Sequence, residues 1–300
     1  MVISGKRNVL SGLKVKEAMR RQVIRLPRDA SLGQCIGTFI KFKVNAVLVT
    51  DEDEQPAGVV SKTDLMGAYY ADLPIETPLE MIMVGPPLFC GEEDFLEDSL
   101  DIMYGSGIHR LYVRGGEDDA VTGVLAYPDI VGLLYRYCRN CKMSSYRRGG
   151  EMDFREVMGQ IRVREVMGTS VKSHRETETL LEVMEGLSAY RFGAVLICNQ
   201  ADDPVGVLSK SDLIVAYKHG VSTDVPALEV MASPVVSCDE EELLSGAIQR
   251  MIFTDIHRLF VHRADPRKIT GVLSLSDAAR ARSGSCHACV TSRIKVEQAT

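Results

Sequence analysis

The sequence predicts a mixed α/β protein of four β-α-β-β-α units arranged as two duplicated pairs, and three observations predict it. One phrase is written four times: GVVSKTD at 58–64, GVLAYPD at 123–129, GVLSKSD at 206–212 and GVLSLSD at 271–277. The spacing is regular, with 65 residues from Asp64 to Asp129 and again from Asp212 to Asp277, and 148 from each phrase of the first half to its counterpart in the second. The same offset carries the flanking text without a gap: LKVKEAM from Leu13 maps onto IRVREVM from Ile161, NAVLV from Asn45 onto GAVLI from Gly193, and IHRLYV from Ile108 onto IHRLFV from Ile256. Self-similarity at a fixed period is the signature of a repeat architecture. Here a unit is duplicated, and then the pair.

Within a unit the elements follow in a fixed order. A short β-type stretch comes first: QVIRL, PPLFC, SVKSH and PVVSC in the four units. After an acidic or small polar cluster, apolar residues recur at helical spacing, as Leu32, Cys35, Ile36, Phe39 and Ile40 in the first unit and Leu244, Ala247, Ile248, Met251 and Ile252 in the fourth. Such a stripe is one face of a helix and is read as core. Two apolar runs come next, NAVLVTD and AGVVS in the first unit, split by the charged turn DEDEQP, which predicts a β-hairpin. The phrase then opens a second helix, TDLMGAYYADL in the first unit and SDLIVAYKHG in the third. A unit of roughly 55–60 residues buries too little surface to stand comfortably alone, so pairing is expected. The repeats are placed at 1–76, 77–141, 157–224 and 225–285, with a linker at 142–156 and a tail at 286–300.

Composition narrows the function. The 35 basic and 41 acidic residues give a net charge of −6. With no long Lys/Arg run, a surface that tracks nucleic-acid phosphates is not expected; YRRGG at 146–150 reads as solvated linker. No apolar stretch approaches the roughly 20 residues of a membrane span, and MVISGKRNVLSG lacks the apolar centre of a signal peptide. A soluble, cytoplasmic protein is expected, with no nucleic-acid or membrane partner.

The phrase itself suggests a chemistry. A strand ending in Gly lets a ligand approach the backbone, because no Cβ stands in the way. The Ser hydroxyl donates and accepts, and an Asp three residues on can accept two hydrogen bonds from vicinal hydroxyls, a match for a ribose diol. Ser-x-x-Asp at a helix start is also a capping box that needs no ligand. Ser61 with Asp64, Ser209 with Asp212 and Ser274 with Asp277 are intact, but the second copy has Ala126 in place of the hydroxyl and Pro128 ahead of Asp129. Three competent sites is the upper count.

Strand, helix, NAVLV or HRLxV strand, Gly-apolar-apolar-Ser-x-x-Asp and helix, four times over nearly the whole chain, resembles the cystathionine-β-synthase (CBS) domain family. Two such domains make a Bateman module, so the chain is similar to two modules in tandem. IHRLFV with GVLSLSD in the fourth unit is especially similar to the last repeat of the γ subunit of AMP-activated protein kinase. The resemblance implies adenosyl ligands (AMP, ADP, ATP or related molecules) in clefts between paired repeats, and a regulatory rather than catalytic role. It also implies that His109 with Arg110, and His257 with Arg258, face phosphate groups. An arginine fork holds two phosphate oxygens, and a neighbouring His gains charge near an anion. A surface pair beside a loop is the plainer reading. The odd units carry Asn45-Ala46 and Gly193-Ala194 instead, and Lys62 and Lys210 are weaker phosphate candidates.

The cysteines lie outside the family pattern. Cys138 and Cys141 have Cys-x-x-Cys spacing, as do Cys286 and Cys289, and the pairs are 148 residues apart. Four converging thiolates would suit zinc or an iron-sulfur cluster. A reversible disulfide and unused thiols stay open, and Val290 after Cys289 disfavours covalent haem. Cys35, Cys90, Cys198 and Cys238 sit in apolar runs and read as buried. Two functions result: an adenosine-nucleotide sensor, or a metal or redox sensor on the same scaffold. An enzyme is not expected, since no nucleophile-base pair emerges. The repeats consume nearly the whole chain, so output is expected through a protein partner or self-association, such as a homodimer.

Overall fold

A computed structural model of the chain describes residues 10–116, 118–141 and 160–281. Repeat 1 runs β1 (Arg25–Pro27), α2 (Leu32–Phe42), β2 (Ala46–Thr50), β3 (Pro56–Ser61) and α3 (Lys62–Tyr70), preceded by a single turn, α1 (Val15–Ala18). Repeat 2 runs β4 (Phe89–Gly91), α4 (Leu96–Gly105), β5 (Arg110–Gly115), β6 (Ala120–Ala126) and α5 (Tyr127–Asn140). Repeat 3 follows with β7 (Ser173–Arg175), α6 (Leu180–Ala189), β8 (Ala194–Cys198), β9 (Pro204–Ser209) and α7 (Lys210–Lys218). Repeat 4 has β10 (Ser237–Asp239), α8 (Leu244–Phe253), β11 (Arg258–Arg263), β12 (Asp265–Ser274) and α9 (Leu275–Arg280). The predicted mixed α/β class and the four β-α-β-β-α units are the observed ones.

Each repeat holds one three-stranded sheet, in which the opening strand pairs parallel with the middle strand and the middle strand pairs antiparallel with the last. The middle strand is the buried one: all of Ala46–Thr50 is buried, as expected for a strand covered on both faces. The opening strands are only three residues long and sit downstream of the apolar text that announced them, Arg25–Pro27 against QVIRL at 22–26. Pairing decides this: only Arg25, Leu26 and Pro27 lie opposite Leu48, Val49 and Thr50. The helix stripe is buried through Leu32, Cys35, Ile36 and Phe39, but Ile40 is 45 % exposed, at the end of the helix where Lys43 turns left-handed.

Chain segments are exchanged between neighbouring repeats. The stretch 13–20, which by its text begins repeat 1, packs on repeat 2, where Arg20 and Val124 exchange backbone hydrogen bonds of 2.9 Å in both directions. Stretch 77–84 returns the favour to repeat 1 through Val84 and Val59, and the second half repeats both exchanges through Gly168 with Val272 and Ala232 with Val207. Each such segment belongs by packing to the repeat it bonds, and not to the one its text adjoins.

Helix packing follows a different pairing. One compact unit comprises 23–88 with 171–235, which is repeats 1 and 3; the other joins 1–22, 89–170 and 236–300, which includes repeats 2 and 4. In the first, Tyr69 and Tyr217 stack with ring centroids 4.9 Å apart. The Tyr69 hydroxyl donates to the Val221 carbonyl at 2.8 Å and the Tyr217 hydroxyl to the Leu73 carbonyl at 2.5 Å, so each ring finds a partner for its polar end. In the second, α5 and α9 bury Ile130, Val131 and Leu134 with Leu275, Ala278 and Ala279 in one core. Among the described residues no helix is long and apolar enough to cross a membrane.

Candidate functional site

Each phrase lies where the last strand of a repeat becomes its second helix. Ser61, Ser209 and Ser274 are extended N-caps with φ between −110° and −113°. In all three the capping box is closed: the Ser backbone N–H and the Ser hydroxyl both donate to Oδ2 of the Asp, at 2.7 and 2.7 Å for Ser61 with Asp64, 2.8 and 2.6 Å for Ser209 with Asp212, and 2.9 and 2.5 Å for Ser274 with Asp277. Repeat 2 keeps half of this, since the Ala126 N–H still donates to Asp129 Oδ2 at 2.9 Å. The cap therefore forms in every copy and uses one carboxylate oxygen. What the other oxygen does divides the copies.

In repeats 1 and 3, Oδ1 of Asp64 and of Asp212 has no hydrogen-bond partner among the described residues. In repeat 4, Arg280 reaches back one helical turn to Asp277 Oδ1. In repeat 2 the exchanged segment supplies the partner: Arg20 Nε donates to Asp129 Oδ1 at 2.8 Å, and the Asp129 side chain is only 8 % exposed. Burial pushes the Asp129 carboxyl up from its ordinary value, while Arg20, the Ala126 N–H and Arg110 pull it down.

The His-Arg pairs are placed by strand register. Arg258 stands directly opposite Ser274, and Arg110 opposite Ala126, whereas Ala46 and Ala194 stand opposite Ser61 and Ser209. The even repeats thus set a cation beside the phrase where the odd ones have a methyl group. Burial lowers both guanidinium values; Asp277 opposes this at Arg258, and Tyr112 and Asp129 oppose it at Arg110. The His109 ring meets Tyr127 edge-on at 5.6 Å, and His257 accepts the Leu275 N–H on its carbonyl at 3.0 Å, with its side chain at the surface. Lys62 and Lys210 cross over to each other's helix: Lys62 donates to the Ser211 hydroxyl at 2.6 Å and Lys210 to the Thr63 hydroxyl at 2.9 Å.

The glycine of the phrase has a different cause from the one read in the sequence. A Cβ on Gly58 would lie 2.9 Å from Met83 Sδ, on Gly123 2.8 Å from Met19 Sδ, on Gly206 2.5 Å from Met231 Sδ and on Gly271 2.7 Å from Met167 Sδ. These four methionines hold the same place in the four exchanged segments. The protein's own backbone and thioether fill the space that the sequence reading gave to a ligand. Arg20 and these methionines are the site residues that sequence reading missed; the matched text LKVKEAM and IRVREVM carried a signal for Met19 and Met167, but not for Arg20, Met83 or Met231.

Of the cysteine pairs, Cys138 is buried on α5 and Cys141 half-buried at its C-cap, while Cys286 and Cys289 lie outside the described residues. Among the described residues no group of three or more His, Cys, Asp or Glu could hold a metal ion. Burial pushes the Cys35 and Cys238 thiols up to about 12 and Cys90 to about 11, so these are small core residues, as expected.

The CBS domain model matches residues 15–71, 79–136, 163–219 and 227–284. A relative of Methanopyrus kandleri, the uncharacterized protein MK0525, is 29 % identical over 122 residues, 40 % of this chain and 62 % of its own length, so the match spans under two thirds of that protein. Protein MJ1225 of Methanocaldococcus jannaschii is 20 % identical over 210 residues, 69 % of this chain and 72 % of its own. The crystal structure of MJ1225, described as that of a proposed archaeal homologue of the γ subunit of AMP-activated protein kinase, superposes with a TM-score of 0.74 at 14 % identity, covering 89 % of this chain and 99 % of that one. An uncharacterized conserved protein of Pyrococcus horikoshii superposes at 0.59 and 16 % identity over 90 % of this chain and 100 % of its own.

Proposed function

Because the chain belongs to the CBS-domain family, with four copies of the domain, we propose that it is a regulatory protein that senses an adenosyl ligand such as AMP, ADP or ATP at its strand–helix junctions. The observation that carries this reading is the spare oxygen. A helix cap needs one carboxylate oxygen, and Asp64 and Asp212, both half-buried residues, keep a second acceptor with no partner among the described residues. A carboxylate so held can accept from a vicinal diol without giving up its cap. Arg258, opposite Ser274, adds a fork for phosphate oxygens in repeat 4. Binding is read out by a change of packing or assembly felt by a protein partner or a second copy.

Calorimetric titration of the full chain with AMP, ADP and ATP tests this. A hydrogen bond to a charged group is worth roughly 1.5–3 kcal/mol, so Asp64→Ala and Asp212→Ala should each weaken their own site about ten- to a hundredfold. Asp277→Ala should do the same, since the Asp277 carboxylate is more open to solvent than that of Asp129, and Asp129→Ala should matter least. No heat and no competition with any adenine nucleotide at millimolar concentration would leave the four phrases as helix caps and remove the sensing reading.

A further inference from the structure

The four exchanged segments place a different residue beside each phrase. Arg20 pairs with Val124 two residues before Ala126, Val84 with Val59 before Ser61, Gly168 with Val272 before Ser274, and Ala232 with Val207 before Ser209. The backbone geometry is the same each time, because both N–H groups of every bridge are bonded across at 2.8–2.9 Å. Only the side chain changes: valine, alanine and glycine leave the carboxylate alone, and arginine takes it.

We propose that Arg20 is a built-in occupant of the repeat 2 site, standing where a ligand hydroxyl would stand and reserving that junction from adenosyl ligands. The inference rests on the sensing function proposed above and assigns the closed copy and its cause. Three features of repeat 2 agree. Asp129 Oδ1 is held by Arg20 Nε at 2.8 Å, Oδ2 is held by the Ala126 N–H at 2.9 Å, and the side chain is 8 % exposed, so both acceptors are committed and covered. The Asp129 carboxylate is buried, and an uncompensated buried charge is costly; the ion pair therefore holds at rest and a neutral hydroxyl does not displace it. The missing hydroxyl at Ala126 is what a copy relieved of ligand contact tolerates. Repeat 4 differs in its carboxylate: Arg20 and Arg280 are similarly exposed, at 46 % and 40 %, but Asp277 is 21 % exposed where Asp129 is 8 %, so the repeat 4 carboxylate is the more open to solvent.

The test counts bound AMP per full-length chain by equilibrium dialysis. Arg20→Val with Ala126→Ser, which copies the Val84 and Ser61 of repeat 1, should take up one equivalent more than wild type. Ala126→Ser alone, which keeps the ion pair and only strengthens the cap, should take up no more than wild type. A gain with Ala126→Ser alone, or none with the double variant while AMP binding by the other repeats persists, overturns the proposal. If the double variant does not fold, Arg20→Gln with Ala126→Ser replaces it, with the same gain expected and its absence equally decisive. Wild type that takes up no AMP removes the sensing function; the double variant then decides the occupant alone, with one equivalent against none.

Discussion

The aspartate of each phrase serves a helix with one oxygen, and in repeats 1 and 3 the other has no hydrogen-bond partner among the described residues, so the cap and the proposed ligand contact separate by measurement. Losing a Ser cap costs roughly 0.5–2 kcal/mol whatever the ligand. Ser274→Ala should therefore lower the unfolding free energy by that amount in the absence of nucleotide, and the effect should be seen by denaturant titration. Arg258 is tested by ligand chemistry. Arg258 stands opposite Ser274 and is half-buried; if it faces phosphates as proposed, Arg258→Ala should weaken ATP and ADP about tenfold or more and leave adenosine nearly unchanged. Equal loss for all three would make it a support of the fold. The Ser and Asp residues and the His-Arg pairs were legible because each is written in register in the text. Arg20 was not, since its partner Asp129 is more than a hundred residues away, and only the exchange of segments brings them together.

At the scale of elements, periodicity announced the helices and hairpins but not what covers them. The glycine of each phrase is the clearest case: the sequence shows that a side chain is absent, and only packing shows that Met19, Met83, Met167 and Met231 occupy its place. The four copies are not equally tight. Around Gly58 all three nearest contacts belong to the flexible Met83 side chain, whereas a Cβ on Gly123 or Gly271 would meet a backbone carbonyl, Arg20 O or Gly168 O, at 2.9 Å. Overpacking against atoms that cannot move costs roughly 1–3 kcal/mol. Gly123→Ala and Gly271→Ala should therefore destabilise by that much, and Gly58→Ala by less. Thermal melts of the three variants check the order; a Gly58→Ala loss as large as the others would put the cause elsewhere. The opening strands moved by a few residues because register against the middle strand, and not apolar text, sets their ends.

At the scale of the whole molecule, each compact unit draws on both halves of the chain. A half-chain of residues 1–150 would leave the buried face of α3, with Leu65, Met66 and Tyr69, without the α7 residues that share its core. Such a half should elute from size exclusion as a self-associated species, and mixing it with 151–300 should give the mass of the intact chain; a well-folded monomeric half would contradict this. The contacts between repeats 1 and 3 give that expectation a further meaning. Tyr69 bonds Val221 while Tyr217 bonds Leu73, and Lys62 bonds Ser211 while Lys210 bonds Thr63. Each bond is its twin with the two halves interchanged, since 148 residues separate Tyr69 from Tyr217, Leu73 from Val221, Lys62 from Lys210 and Thr63 from Ser211. That is the rule of a twofold interface between identical subunits, here carried by one polypeptide. In a true homodimer every substitution is made twice, so no site can be retired without retiring its mate. Joining the copies end to end removes that constraint, and the halves do differ here: Arg20 and Ala126 stand in one where Gly168 and Ser274 stand in the other. One chain can thus carry different residues at two positions that an exact twofold would force to be alike.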